Sequence, residues 1–564
     1  MENKILEQYQ LWTEHAFSDA DVIKELKKMA GDEDKIEEAF YRNLAFGTGG
    51  LRGVIGAGTN RMNIHTVAKA SQGLADYIVK KFPKEHQKIA VSYDSRIKSK
   101  LFAEVASGVF AANGIKVHIY SQLMPTPCLS FAVRRLHCAA GIMVTASHNP
   151  SKYNGYKVYN ADGCQITTEA AAEILAEIEK LDIFSDVKTL AFSEGVKTGI
   201  IQYIPEQVYT DFVEAVKKQS VLGDAKIDKN VAIIYSPLNG TGLLPVLRTL
   251  KESGYQNITV VKEQEQPDGT FPTCPYPNPE IREAMELGMK YAREHNADLL
   301  LATDPDCDRV GIAVKDSSGE YVLLSGNETG ILLLDYICSR RQALKTMPEA
   351  PMLVKTIVTT DMGERIAAHY GVQTVNVLTG FKFIGEQIGF LENEGKEDSY
   401  IFGFEESYGY LSGTYVRDKD AVNGAFLICE MFAWYASLGI SLTEKLSELY
   451  REYGFCLNTL HSYEFEGAQG FLKMQEIMQK FRSGLESIGG KKVHTCLDYS
   501  KGLDGLPKSD VLKFLLEKNC SVVIRPSGTE PKLKAYISVS AENREQAMLI
   551  ENRIADDLQG FFVL

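Results

Sequence analysis

The chain has 564 residues, of which 45% are hydrophobic and 24% charged, and a formal net charge of −13. At roughly 100–200 residues per domain, this length calls for about three to five hydrophobic cores, and the composition is that of an ordinary soluble globular protein. The acidic balance excludes a broad nucleic-acid surface, which needs a basic face, and it repels anionic ligands at long range, so a phosphate-ester site would need local cations.

The N-terminal stretch to about Phe46 reads as helical, with Asp19-Ala20-Asp21 as a start signal and a break at Gly31-Asp32-Glu33-Asp34. It has no signal-peptide layout. A glycine-rich loop follows over 47–58. Then a three-part rhythm begins. First runs lie at 89–93, 231–235 and 352–358, second runs at 115–119, 258–261 and 372–377, and third runs at 142–145, 299–302 and 400–403. Short β-branched runs alternating with longer helical stretches predict α/β units with mixed sheets. The longest apolar stretch, 330–334, is far shorter than the ~20 residues a membrane span needs. The last segment breaks the rhythm and reads as a smaller α+β domain. The expected division is 1–206, 207–322, 323–450 and 451–564, with three similar α/β domains and the fourth around a central cleft. Ten cysteines scattered singly, with no CxxC pair, read as free thiols in a reducing, cytoplasmic setting.

A polar cluster follows the third run of each unit: Ala146-Ser147-His148-Asn149-Pro150, Asp304-Pro305-Asp306-Cys307-Asp308-Arg309 and Glu405-Glu406-Ser407-Tyr408-Gly409. Ligands collect beyond the carboxyl ends of strands in open α/β sheets, so three such loops suit one shared cleft. Asp304, Asp306 and Asp308 repel one another and call for a cation. The EF-hand alternative fails, because the sixth position is Arg309 and the twelfth Lys315. Oxygen-only ligation favours Mg²⁺ over zinc. Ser147 lacks a hydrolase elbow, and its local pattern alone leaves open a solvated turn serine or a phosphoryl carrier. His148 reads equally as an acid/base group or as a histidine that orients phosphate. Arg525-Pro526-Ser527-Gly528-Thr529 is a compact set of phosphate donors, with Lys532 and Lys534 adding charge.

Together, Thr145-Ala146-Ser147-His148-Asn149-Pro150, the Asp304–Arg309 loop, Phe404-Glu405-Glu406-Ser407 and Arg525-Pro526-Ser527-Gly528-Thr529 resemble the hallmark loops of the α-D-phosphohexomutases, in family order and across nearly the whole chain. Gly47-Thr48-Gly49-Gly50-Leu51-Arg52-Gly53 and Val416-Arg417-Asp418-Lys419-Asp420 are most similar to the branch holding bacterial phosphoglucomutases and phosphopentomutase-type enzymes. The resemblance implies a phosphorylated Ser147 that ligates Mg²⁺ with Asp304, Asp306 and Asp308, and glucose 1,6-bisphosphate as bound intermediate and activator. It implies Arg52, Lys157 and Lys382 as active-site cations and Glu405 and Ser407 as sugar readers. Arg525, Ser527, Gly528 and Thr529, with Arg309 and Lys534, would hold the substrate phosphate.

The implied activity is interconversion of glucose 1-phosphate and glucose 6-phosphate, with phosphopentose or mannose phosphate as alternatives by the same chemistry. A Mg-dependent sugar phosphatase or phosphosugar-binding protein is the alternative of another class. The expected partner is a phosphorylated monosaccharide, with no nucleic acid and no membrane, in a monomer or homodimer. In-line phosphoryl transfer needs positioning and charge neutralisation, which Arg52, Lys157, Arg309, Lys382, Arg525, Lys532 and Lys534 supply if they converge. A lysine among cations has a lowered pKa, which points to Lys382 and Lys157, ahead of His148, for proton transfer.

Overall fold

The computed structural model describes residues 3–16, 18–47, 49–465, 467–503, 505–526 and 532–562. Three helices, Asn3–His15, Ala20–Met29 and Glu33–Phe40, open the chain. Asp19 and Asp32 cap the second and third through their side chains, which accept backbone N–H groups of the first turns.

The first sheet has seven strands: Phe46–Gly47 (β1), Gly50–Val54 (β2), Lys88–Tyr93 (β3), Lys116–Ile119 (β4), Ala140–Val144 (β5), Tyr153–Asn160 (β6) and Ile201–Tyr203 (β7). Their order is β1-β2-β6-β5-β3-β4-β7. The second sheet contains Ile233–Ser236 (β8), Ile258–Val260 (β9), Leu299–Thr303 (β10), Val310–Lys315 (β11) and Tyr321–Leu324 (β12) in the order β12-β11-β10-β8-β9. The third contains Met352–Thr356 (β13), Gln373–Val377 (β14), Tyr400–Glu405 (β15) and Gly409–Leu411 (β16) in the order β14-β13-β15-β16.

The repetition expected from the apolar runs is present in the topology. In β3–β6, β8–β11 and β13–β16 alike, the first strand lies between the second and third, all parallel, and the fourth returns antiparallel beside the third. Parallel strands covered on both faces read as continuous apolar runs, which is why the sequence exposes them. Each third-to-fourth connection is one of the polar loops, and each holds a non-glycine residue in the left-handed region: Ser147 (φ 51), Cys307 (φ 51) and Tyr408 (φ 64). Such a conformation costs an L-residue about 1–3 kcal/mol, so the surrounding hydrogen bonds must impose it.

Part of the glycine-rich stretch is not a loop. Gly50–Val54 pairs antiparallel with β6, placing Gly50 opposite Lys157. A strand this rich in glycine gives no β signal, yet the glycine is required: at Gly50 (φ 133) a Cβ would stand 1.8 Å from the Tyr156 carbonyl oxygen.

The final sheet is antiparallel throughout and contains Phe455–Glu464 (β17), Ser487–Ile488 (β18), Lys491–Asp498 (β19), Leu512–Leu516 (β20), Cys520–Pro526 (β21) and Lys532–Ala541 (β22). The helix Arg544–Phe562 packs against β17 and β22. An ion pair and a hydrogen bond dock this domain on the third unit: Lys513 Nζ lies 3.1 Å from Asp361 Oδ1, and Ser521 Oγ donates to Asp361 Oδ2 at 3.0 Å. Each sheet falls within one expected segment, except that β12 runs to Leu324, past the boundary expected at 322.

One buried apolar cluster runs from Ala90 and Met143 through Ile233 and Leu301 to Leu353 and Phe402, and reaches Val523 and Tyr536 of the last domain. The helix Ala421–Ser437, apolar nearly all round, lies within it. Among the described residues no single helix is long and apolar enough to cross a membrane. All ten cysteines are free, and only Cys496 is exposed.

Candidate active site

Asp304, Asp306 and Asp308 are completely buried, and one carboxylate oxygen from each lies within 4.8 Å of the others. The chain curls to achieve this. Cys307 takes its left-handed conformation, and Asp304 Oδ1 accepts the backbone N–H groups of Asp308 and Arg309, both at 3.0 Å. Ser147 Oγ reaches across from the first unit and donates to Asp304 Oδ2 at 3.0 Å. Thr126 Oγ1 donates to Asp306 Oδ2 at 3.0 Å. Asp306 Oδ1 and Asp308 Oδ1 are buried with no hydrogen-bond partner among the described residues. Unpaired buried carboxylate oxygens are costly, and a hard divalent cation such as Mg²⁺ suits this all-oxygen donor set.

Two lysines neutralise the cluster. Lys157 Nζ, on β6, lies 2.7 Å from Asp306 Oδ2 and 3.3 Å from Asp308 Oδ2. Lys419 Nζ lies 3.0 Å from Asp308 Oδ2 and is also held by Asp418, 3.4 Å away. Burial pushes all three aspartic carboxyls upward. At Asp304 the neighbouring Asp308 and Asp306 add to that effect. At Asp306 Lys157 overrides it, and at Asp308 Lys419 and Lys157 do, so both stay below the ordinary carboxylate range.

The lowered pKa expected at Lys157 is not found. Burial pulls the ammonium down, but the facing Asp306 and Asp308 outweigh it and hold the pKa above its ordinary value. One cation, Lys419, does act on it in the expected direction, but the carboxylates prevail. Lys382 does have a lowered pKa, and the cause is burial. It sits in the first turn of the helix Phe381–Asn393, next to Gly380, whose N–H donates to Glu405 Oε1 at 3.1 Å. Glu405 is buried, and burial pushes its carboxyl up to about 7 against the pull of Lys419. Ser407 is half-buried at the tip of the same loop.

His148 Nδ1 lies 3.2 Å from Ser147 Oγ, and burial, with Arg309 and Arg52 nearby, pushes the ring's pKa well below its ordinary value. Arg52 is exposed on β2, and its guanidinium donates to Asn149 Oδ1 at 3.4 Å. Arg309 is ion-paired with Glu280. In the last domain Arg525 lies opposite Lys534 in the strand register and donates to the Tyr536 hydroxyl at 3.2 Å. Its charge acts on Glu406 of the third loop. Lys532 is paired with Glu464 at 3.1 Å, on the strand β17. Ser527, Gly528 and Thr529 lie outside the described residues. Of the seven cations, Lys157 and Arg309 lie at the carboxylates, Arg309 and Arg52 both act on His148, Lys382 follows Gly380 beside the third loop, and Arg525, Lys532 and Lys534 lie on the last domain.

Sequence reasoning missed three contributors. Arg96 is buried, and its guanidinium donates to the carbonyl oxygens of Ser147 and Asn149, and to those of Pro150 at 3.0 Å and Tyr153 at 3.1 Å. It thus imposes the left-handed turn at Ser147. The same side chain stacks on Phe271 of the second unit, 5.0 Å from the ring centre. Its only sequence signal is position: Asp94-Ser95-Arg96 follows the first strand of its unit, where a ligand loop belongs. Thr126 follows β4 in the same way, and Lys419 stood inside a quoted motif without a role.

Family models for the phosphoglucomutase/phosphomannomutase α/β/α domains I, II and III match residues 43–183, 208–319 and 325–453. The chain belongs to the phosphoglucomutase/phosphomannomutase family. By class it is a phosphohexomutase, an isomerase that works as an intramolecular phosphotransferase. A phosphoglucomutase of Staphylococcus saprophyticus is 35% identical over 551 residues, covering 95% of this chain and 97% of its own. One of Staphylococcus haemolyticus is 34% identical over 522 residues, covering 90% and 93%. In fold the chain resembles the open form of pp63/parafusin, a Paramecium phosphoglucomutase, with a TM-score of 0.68 at 17% identity, over 93% of this chain and 96% of that one.

Proposed function

We propose that this chain interconverts glucose 1-phosphate and glucose 6-phosphate in the cytoplasm, as a monomer or homodimer, through a phosphorylated Ser147 and a bound glucose 1,6-bisphosphate. The work is divided among segments 1–206, 207–322, 323–450 and 451–564. The observation that carries the reading is the 3.0 Å hydrogen bond from Ser147 Oγ to Asp304 Oδ2, inside a carboxylate cluster suited to Mg²⁺. The choice of glucose is supported by the name phosphoglucomutase on relatives 34–35% identical over nearly the whole chain.

Bound at Asp304, Asp306 and Asp308, Mg²⁺ would supply positive charge against a phosphate on Ser147. In the forward half-reaction the bond between phosphorus and Ser147 Oγ breaks, and a new one forms to a hydroxyl of the monophosphosugar. The hydroxyl proton passes to a base, and the product is the bisphosphosugar. After the sugar turns, its other phosphate returns to Ser147 Oγ and the base returns the proton. Lys382 is assigned as that base, because burial favours its neutral amine. Arg96 holds the Ser147 turn, and Lys157, Lys419 and Arg309 balance the carboxylates. Arg52 and His148 flank the transferring phosphoryl group. Glu405 and Ser407 accept sugar hydroxyls. Arg525 and Lys534, with Ser527, Gly528 and Thr529, hold the phosphate that is not being transferred.

Ser147→Ala tests the reading. It should abolish phosphoenzyme, read by intact mass as loss of a one-phosphate gain at that residue, and nearly all mutase turnover. Near-normal turnover would reject the mechanism. Release of inorganic phosphate without isomer formation would identify a phosphatase instead. Side-by-side kcat/KM values for glucose, mannose and pentose phosphates decide the sugar.

A further inference from the structure

A cleft of about 870 Å³ lies between the N-terminal helices and the first α/β unit. It sits behind the β1–β2 hairpin. Its lining is mixed, with the apolar side chains of Phe46, Leu51, Leu175 and Ile178 beside polar ones. Its walls carry both signs, Lys4, Arg42 and Lys69 against Glu7, Glu179 and Asp182, but two of the cations are not paired with a carboxylate among the described residues. Lys69, half-buried on the helix Ile64–Lys81, has no hydrogen bond or ion pair within 4.0 Å among the described residues. Asp182, Glu179 and Asp186 act on it only at longer range, and burial keeps its ammonium below the ordinary lysine pKa. Arg42, on the opposite lip, donates to Asn60 Oδ1 at 3.3 Å and pairs with no carboxylate among the described residues. Of the rim acids, Asp182 and Glu179 act on Lys69 without contacting it. Asp182 Oδ1 accepts the N–H groups of Phe184 and Ser185, both at 2.9 Å, while Glu7 and Glu179 are exposed.

We propose that this cleft is a second ligand site, taking an organic anion with an apolar body, whose charge is met by Lys69 and Arg42. The volume falls within the roughly 300–1,000 Å³ of small-molecule pockets and far exceeds the need of an inorganic ion. A half-buried, unpaired ammonium among apolar side chains is relieved when an anion docks beside it. Occupancy is transmitted to the catalytic cleft by one residue pair. Leu51 and Arg52 are neighbours on β2, and strand alternation turns buried Leu51 into the second site while Arg52 faces Asn149 on the Ser147 loop. An anion against Leu51 therefore fixes the strand that aims Arg52.

The test uses the full chain and 8-anilinonaphthalene-1-sulfonate, an aromatic sulfonate, as the probe. Saturable fluorescence binding is expected, undisplaced by excess glucose 1-phosphate, with hydrogen-exchange protection in residues 44–54, 64–70 and 175–183. Lys69→Gln should weaken binding about fivefold, the size of one partly exposed charge contact. Ile178→Trp, which fills the cleft, should abolish it, and a melting curve checks that both variants fold. Saturating probe should change kcat at least about twofold in the native chain and not in Ile178→Trp. Equal affinity in both variants, or protection confined to the sugar cleft, overturns the site. Binding that leaves kcat unchanged overturns its coupling to Arg52. None of the binding results depends on Ser147 being the phosphoryl carrier.

Discussion

Ser147 Oγ donates to Asp304 Oδ2 at 3.0 Å, although 157 residues separate the two in sequence. The bond forms where the first and second units meet, yet each side chain is aimed by its own unit. Ser147 is turned by a left-handed backbone that Arg96 clamps, and Asp304 is held by the backbone N–H groups of its own loop.

Asp306→Asn should remove a ligand while leaving the fold, since the amide keeps one oxygen toward Thr126 and Lys157. Loss of an outer partner weakens metal sites by about 10–100-fold, so loss of a ligand should exceed ~100-fold. Calorimetric titration with Mg²⁺ measures this directly. The rise in melting temperature that Mg²⁺ gives the native chain should vanish with it. An unchanged affinity would remove Asp306 from the metal site.

Arg96→Lys keeps the charge but not the planar fork, and leaves carbonyls of the Ser147 turn unpaired. Stability should fall by about 1–3 kcal/mol. Turnover should fall further, by about 100-fold, because a displacement of ~1 Å at the reacting atom is enough for that. Denaturant melts and kcat separate the two effects. A variant that loses stability but keeps kcat would make Arg96 structural only.

Lys382→Met tests the base. Burial lowers the Lys382 ammonium below its ordinary 10.5. An amine that accepts the hydroxyl proton must be neutral, so kcat of the native enzyme should rise with pH through that lowered value. In the variant the rise should disappear and kcat drop by about 10²–10⁴-fold. A preserved pH profile would send the assignment to another residue.

The docking of the last domain should be sensitive to acid. Burial raises the Asp361 carboxyl, but Lys355 and Lys513 outweigh it and hold the pKa at about 2, against an unfolded value of 3.8. A carboxyl depressed on folding stabilises the protein above its unfolded pKa, and that contribution is lost as pH falls through the folded one. Native protein should therefore exceed Asp361→Asn in stability by about 2 kcal/mol above pH ~5, with the gap closing between pH ~4 and ~2. Melts across that window measure the gap; a constant gap would show that the ion pairs contribute nothing to docking.

Much of this was legible in the sequence because buried parallel strands and capped helices leave strong local signals. The nine runs of the three units are strands, and Asp19 caps the helix it was expected to start. What escaped depends on distance or on the backbone. Arg96 acts on carbonyl oxygens, which any sequence supplies. Lys419 finds Asp308 only once the second and third units meet. In the last domain the second half of β17 alternates between half-buried and exposed residues, so it lacks the apolar run that marks β21. Lys157 was misjudged because a lysine's pKa depends on its neighbours' sign, and those neighbours came from another unit.

The left-handed residue shared by the three loops has a consequence for how this site can change. Ser147, Cys307 and Tyr408 place one left-handed turn after the third strand of each unit, within connections spanning 145–152, 304–309 and 406–408. The turn is kept while the length of the connection around it differs from unit to unit, and in the second unit a side chain, Asp304, holds the loop's backbone. Loop length should therefore tolerate change as long as the left-handed turn survives, and new substrate preferences should be reachable here by insertion as well as by substitution.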